Sequence, residues 1–310
     1  IQGKGSFIQT ESSIQDRPEL HIGMLLPRLY SKYVSEMIDG AKSYLEQHNI
    51  KLYICVTDDE SQKEKEFIES IRSMQFQGML FFPVIHNTYS DAILDLAISK
   101  FPTVFIGRNM PRLNISSVFC DPYNQAYHAV EYLLKNERTN IAFISERSDS
   151  SPFYEKRMKG YQAAMQHYFH DTNALAAEID FFREKTPESD KAIEADICSF
   201  LDKHPDATSI ITTNLAIVQI YKHLIKKQVP PGKYTILVFD SAERMDFIPY
   251  QNLIIIDQCP YKIGYLAAEQ LHLQITQHAT LQNIDVPERF VAHKSNSTDI
   301  SPITSINIQE

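Results

Sequence analysis

The sequence predicts an α/β fold of two lobes, each a parallel sheet covered by helices, with a hinged cleft between them. Three observations carry this. Short apolar runs rich in Ile, Val and Phe alternate with longer amphipathic stretches along the chain. Strand–helix alternation of that kind implies parallel sheets with helices on both faces. The alternation runs through two cycles, separated by the short polar stretch Lys135-Asn136-Glu137-Arg138-Thr139. A length of 310 residues also suits about two domains, at roughly 150 residues each.

The first cycle opens with a strand predicted at 20–26. A helix at 31–48 follows, with Val34, Met37, Ile38, Ala41 and Leu45 on one face, the 3.6-residue spacing of a buried stripe. A strand is predicted at 51–56 and a helix at 61–74, with Phe67, Ile68, Ile71 and Met74 inward. Strands at 78–83, 103–106 and 115–119 and helices at 91–99 and 123–134 complete the cycle. The second cycle has strands at 140–144, 177–182, 209–212, 235–239 and 253–257. Its helices lie at 153–168, 189–201, 215–226 and 261–276. Long linkers, low-complexity tracts and internal repeats of 20–50 residues are missing.

Composition excludes several classes. The chain is 43% apolar and 22% charged, values of an ordinary globular protein. Lys plus Arg is 30 against 39 Asp plus Glu, a net charge of −9. An acidic body repels phosphate, so whole-chain charge gives no support for nucleic-acid binding by these residues. Nine glycines are under half the usual ~7%, which argues against glycine-rich phosphate cradles. Cys55, Cys120, Cys198 and Cys259 are far apart and form no C-x-x-C, so neither a zinc site nor a disulfide framework is expected. No apolar run approaches the ~18 residues of a membrane span, so no membrane partner is expected. The start, Ile1-Gln2-Gly3-Lys4-Gly5, lacks both an initiator Met and an apolar signal core. The expectation is a piece of a longer chain working in a reducing cytoplasm.

The common catalytic signatures are missing: no G-x-S-x-G, H-E-x-x-H, G-x-x-x-x-G-K-[ST] or G-x-G-x-x-G. His167-x-x-His170 has one metal spacing without a carboxylate or Cys to complete it, and reads as an exposed helix end. No enzyme activity, metal or cofactor is therefore expected. What stands out is polar residues just after strands. These are Arg108 and Asn109, Asp121 and Asn124, Asn214, Asp240, and Gln258. In open α/β sheets, ligands bind beyond the carboxyl ends of the strands. A neutral polyol needs this mixture of amides, carboxylates and guanidinium, with an aromatic face for its C–H groups. The rival reading is that Asx residues at strand ends cap the next helix.

Collinear motifs then carry a resemblance. Ile22-Gly23-Met24-Leu25-Leu26-Pro27, Tyr33-Val34-Ser35-Glu36-Met37 and Gly40 resemble I-G-x-x-x-P … F-F-x-x-L-x-x-G. Asp121-Pro122-Tyr123-Asn124 with Ala129 and Leu133 resembles D-N-x-x-G … A … L. Arg157-Met158-Lys159-Gly160-Tyr161 resembles R-x-x-G-F, and Thr213-Asn214 resembles x-N-D. Val238-Phe239-Asp240-Ser241 resembles G-Y-D-D/N, Ile255-Ile256-Asp257-Gln258 with Gly264 and Ala267 resembles T-x-x-Q … G … A, and His293 to Ser297 resembles R-x-S-T. Together, residues 20 to about 300 resemble the effector domain of LacI/GalR-type transcription regulators, which has the type I periplasmic-binding-protein fold of two Rossmann-like lobes. Gln125, Leu215, Val238 and Gly107 depart from that pattern, and Leu215 and Gly107 fall near the expected pocket.

The resemblance implies a ligand site of Tyr33, Arg108, Asp121, Phe153, Arg157, Asn214, Asp240 and Gln258. Arg157 is the principal ligand, because a planar guanidinium engages two vicinal hydroxyls. Asp240, Asn214 and Gln258 complete the hydrogen-bonding set, and Tyr33 or Phe153 supplies the aromatic face. It also implies three crossings between lobes, with lobe 1 at 19–135 and 258–284, lobe 2 at 136–257 and 285–300, and a tail at 301–310. Gln2-Gly3-Lys4-Gly5-Ser6-Phe7-Ile8 resembles the wing of a GntR-type winged helix, G-x-G-T-F-V. Residues 1–18 would then be wing remnant and linker, with Lys4 at the DNA. The combination resembles the arabinose-repressor type of regulator: a homodimer, bound to operator DNA through a winged helix missing here, and released by a monosaccharide of the L-arabinose or L-fucose class. The alternatives are a transporter's solute-binding protein, an α/β enzyme, and a dimer scaffold that has lost its ligand.

Overall fold

The computed structural model describes residues 19–293 apart from 72, 85–89, 111, 171–173, 182–185, 231 and 241–251. The element order is β1 (His21–Leu26), α1 (Lys32–Gln47), β2 (Lys51–Val56), α2 (Ser61–Ser70), β3 (Gly78–Phe81), α3 (Asp91–Ser99), β4 (Thr103–Ile106), β5 (Ser116–Phe119) and α4 (Pro122–Lys135). Then come β6 (Ile141–Glu146), α5 (Pro152–Phe169), β7 (Ala176–Ile179), α6 (Pro187–Lys203), β8 (Ser209–Thr213), α7 (Ile217–Lys226), β9 (Thr235–Phe239), β10 (Leu253–Asp257), α8 (Pro260–Gln277), β11 (Asn283–Asp285) and β12 (Arg289–Ala292).

These strands make two six-stranded sheets, ordered β11-β5-β4-β3-β1-β2 and β12-β10-β9-β8-β6-β7. All pairings are parallel except β10 with β12. Period-two alternation splits each strand between two cores. Ile22, Met24 and Leu26 of β1 face α1 and α8, where Met37, Ala41, Ile263 and Ala267 are buried. Leu25 faces Ile68 and Ile71 beyond it, and Ala92, Ile93 and Leu96 of α3. In the second sheet, Ala142 and Ile144 face α6 and α7, while Ile141 and Phe143 face α4 and α5.

Side chains fix the helix starts as the sequence chemistry dictates. Ser31 accepts from Val34 N, Ser151 from Phe153 N, and Thr186 and Ser189 cap reciprocally. The α1–α8 contact is close because both helices offer glycine. A methyl on Gly40 would run into the Tyr261 carbonyl, and one on Gly264 into the Met37 carbonyl.

Several expectations shift. The helix expected to reach Met74 ends at Ser70, and β7 ends at Ile179 rather than 182. The larger correction concerns α4, which was expected in the first lobe. Its Ala126, Ala129, Val130 and Leu133 are buried against Met158, Tyr161, Ala164 and Met165 of α5. The chain therefore leaves the first sheet directly after β5, not at 135–139, which is only the turn from α4 into β6. It returns between β10 and α8, and crosses a third time between β11 and β12. Lys4, the wing-like segment, Ser241, Lys294 to Ser297 and the tail at 301–310 lie outside the described residues.

Candidate functional site

The carboxyl ends of the two sheets confront each other, and their polar residues meet between them. Arg157, on the second turn of α5, is 3% exposed. Its guanidinium lies between two rings, 4.6 Å from the Phe153 centroid and 3.9 Å from that of Phe239. One nitrogen, Nη2, donates to Gln125 Oε1 at 3.1 Å and stands 4.0 Å from Asp240 Oδ2. Gln125 Nε2 in turn donates to Gln258 Oε1 at 3.1 Å and to the Cys120 carbonyl. Gln258 Nε2 donates to Asp240 Oδ1. The result is a ring of planar groups from α4, α5 and the ends of β9 and β10. Gln258 and the Cys120 carbonyl that Gln125 also holds lie where the chain crosses between the sheets, after β10 and after β5.

Asp240 takes positive φ, 63°, which Asp tolerates better than most residues. Burial raises its pKa, opposed by Arg157 and the Gln258 amide. From the first lobe, Tyr33 packs against Phe82 with centroids 6.1 Å apart. Burial raises the Tyr33 phenol far above its usual range, and the Asp240 charge adds to this. Arg108 lies over the Phe82 ring at 4.7 Å and donates to the Pro83 carbonyl. Burial lowers its pKa to about 10, against the pull of Tyr154, Tyr33 and Glu64. Gly107 before it has φ 69°, and a Cβ there would sit 3.1 Å from the Tyr33 hydroxyl.

The structure thus gathers Tyr33, Arg108, Phe153, Arg157, Asp240 and Gln258. It does not add Asp121, whose carboxylate accepts from Tyr123 N and Asn124 N and faces Lys156 Nζ at 3.5 Å. Here the helix-cap reading wins. Asn214 follows β8 at the same sheet edge. The sequence reading missed Gln125 as a ligand-site residue, and also Glu64, Glu146 and Tyr154. Glu64 is 1% exposed and accepts from Val84 N at 2.8 Å. Glu146 is 3% exposed at the end of β6. The departure of Gln125 from the family pattern was the one usable signal, because a lone amide on an apolar helix face needs partners.

A cavity of about 190 Å³ opens at one side, between Tyr33, Lys32 and Glu36 of the first lobe and Asp240, Asp257 and Arg289 of the second. Among the described residues no group of three or more His, Cys, Asp or Glu side chains is placed to hold a metal, and no helix is long and apolar enough to cross a membrane.

Two α/β lobes joined by three crossings, with buried charges and rings facing across the gap, have the architecture in which open α/β sheets hold ligands beyond their carboxyl ends. The chain matches the model of periplasmic binding proteins and sugar-binding domains of the LacI family over residues 19–294, and it belongs to that family. The probable HTH-type transcriptional regulator EndR of Paenibacillus polymyxa is 25% identical over 142 residues, 45% of this chain and 41% of that protein. This chain therefore spans less than half of EndR. The HTH-type transcriptional repressor PurR of Vibrio campbellii is 25% identical over 251 residues, 81% of this chain and 73% of that one. In fold, the chain is similar to a LacI-family transcriptional regulator from Enterococcus faecium with bound ribose. The TM-score is 0.66 at 19% identity, covering 87% of this chain and 96% of that one.

Proposed function

We propose that the chain is the effector-binding and dimerisation domain of a sugar-responsive transcription regulator, a repressor that a monosaccharide releases from its operator. The observation that carries this is the ring of Arg157, Gln125, Gln258 and Asp240 between the two sheets, with Arg157 held between Phe153 and Phe239. Planar donors and acceptors beside aromatic faces suit vicinal hydroxyls and the C–H face of a pyranose or furanose. HTH-type relatives support the regulator part of the reading, and a relative in fold that holds ribose supports the sugar part. A pentose or deoxyhexose of the L-arabinose or L-fucose class remains our proposal beside ribose.

The lobes move about the crossings after β5, after β10 and between β11 and β12. Asn214 joins the ligand on closure. Operator binding belongs to a winged helix of the GntR type ahead of residue 19, on the strength of Gln2 to Ile8, with Lys4 at the phosphates. The family match begins at residue 19, so that segment stands on its own residues. Two-fold symmetry of a homodimer would place two reading heads on two half-sites, and a regulator of this kind works in the cytoplasm. A thermal-shift screen against D-ribose, L-arabinose, L-fucose, D-galactose and D-glucose tests the core of the reading. A ligand at 100 times its Kd stabilises by ~2.7 kcal/mol, a readily measured rise. No rise with any sugar refutes the sugar reading.

A further inference from the structure

Three buried polar groups at the carboxyl edge of the second sheet are left incompletely paired. Glu146 ends β6 and is 3% exposed, and Thr213 ends the neighbouring β8 and is 1% exposed. Ser145 Oγ donates to Glu146 Oε2 at 3.2 Å, whereas an ionised carboxylate has about four acceptor positions. Burial raises the Glu146 pKa, opposed by the Arg157 charge, by the backbone N–H of Glu146 itself and by the nearby Thr213 and Ser145 hydroxyls. Thr213 Oγ1 nevertheless has no partner in hydrogen-bonding geometry, and neither does Arg157 Nε, among the described residues. Tyr154, three residues before Arg157 and so on the same side of α5, lies in the field of Glu146, Arg157 and, across the gap, Arg108.

Buried polar atoms are rarely left without partners, and each exception calls for a ligand, a water or a strain account. Here the unpaired donors Arg157 Nε and Thr213 Oγ1 flank a carboxylate with spare acceptor positions. A single hydroxyl fits that combination, because it donates once and accepts from two sides.

We propose that Glu146, Thr213 and Tyr154 form a hydroxyl-reading subsite beside the Arg157 ring, with Glu146 as a specificity-determining residue. A sugar hydroxyl donates to the Glu146 carboxylate and accepts from Arg157 Nε and the Thr213 hydroxyl. Tyr154 walls the subsite from the first lobe. This deepens the sugar reading and rests on it. A site built around a substrate hydroxyl rejects the analogue lacking it far more strongly than a hydrophobic pocket rejects a missing methylene, because its buried groups then stay unpaired.

The test is titration calorimetry on the whole chain with D-ribose, L-arabinose, L-fucose, D-galactose and D-glucose, followed by the monodeoxy analogues of each sugar that binds. For one ring position, the wild-type chain should bind the deoxy analogue at least tenfold more weakly than the parent sugar. In Glu146→Ala that ratio should fall toward one, while ratios at the other positions stay put. Glu146→Gln, which keeps a carbonyl acceptor and the shape, should recover part of it. Thr213→Val, which removes only the hydroxyl, should lower the same ratio. A purely structural role for Glu146 would weaken every sugar and analogue alike, and unchanged ratios in both Glu146→Gln and Thr213→Val overturn the subsite while leaving the sugar reading intact. If no sugar binds the wild-type chain, the functional reading falls first and this inference with it. If Glu146→Ala does not fold, the Gln and Val variants decide.

Discussion

Replacing Asp240 by Asn should move stability and affinity in opposite directions. Burial raises the Asp240 pKa in the folded protein, and the opposing attraction of Arg157 and the Gln258 amide does not cancel it. The ionised carboxylate is thus less stable folded than its neutral form would be. The folded state therefore binds more protons than the unfolded state between the two pKa values. Stability falls as pH rises from the unfolded carboxylate value, about 3.9, through the higher folded one. Asn keeps the shape and the acceptor for Gln258 Nε2 but carries no charge. The unliganded Asp240→Asn variant should melt higher than wild type at pH 7, and the gap should close below pH ~4. Sugar affinity should fall, because a hydrogen bond to a charged group is worth ~1.5–3 kcal/mol and a neutral one ~0.5–1.5. A net loss of ~1.4 kcal/mol is tenfold in Kd. Melting curves from pH 3.5 to 8 and calorimetric titration at pH 7 measure both. A variant that melts lower at pH 7 and binds as tightly as wild type would refute the reasoning on both counts.

Arg157→Ala should abolish measurable sugar binding and also destabilise the unliganded chain. Removing the guanidinium ends two cation–π contacts worth ~0.5–2 kcal/mol each and a charged hydrogen bond, so urea titration should show a loss of several kcal/mol. Gly264→Ala should cost ~1–3 kcal/mol by forcing α8 off α1, read in the same assay, with little change in the sugar Kd. His128 Nδ1 meets Glu288 at 2.7 Å, and that hydrogen bond raises the His128 pKa. The pair's contribution is present in full below the unfolded value of ~6.5 and is lost as pH rises through the folded value. His128→Ala should therefore lower the melting temperature at pH 6 more than at pH 9.

Local structure was legible where sequence chemistry is local. Ser31 caps α1, and Val34, Met37, Ala41 and Leu45 are buried on the face their spacing implies. The partner of a buried face is a different matter. The stripe Ala126, Ala129, Val130 and Leu133 announces an amphipathic helix but says nothing about which sheet it covers, so α4 was assigned to the wrong lobe. Strands β11 and β12 are only three and four residues long and partly exposed, too short for a periodic signal. In the site, Arg157, Asp240 and Gln258 were found because they follow strands or match a motif. Glu146 and Thr213 were not, because charged and hydroxyl residues at strand ends are usually solvated and only coordinates reveal them buried. Asp121 was the reverse case: at a strand end and matching a motif, yet engaged in capping α4.

The cleft as a sugar site is tested by calorimetric titration of the unmodified chain with the monosaccharide that gives the largest thermal shift. Saturable binding at one sugar per chain is expected, lost in Arg157→Ala and weakened about tenfold or more in Asp240→Asn. Absence of heat and of a thermal shift with every sugar tried, or binding that survives Arg157→Ala unchanged, would contradict it.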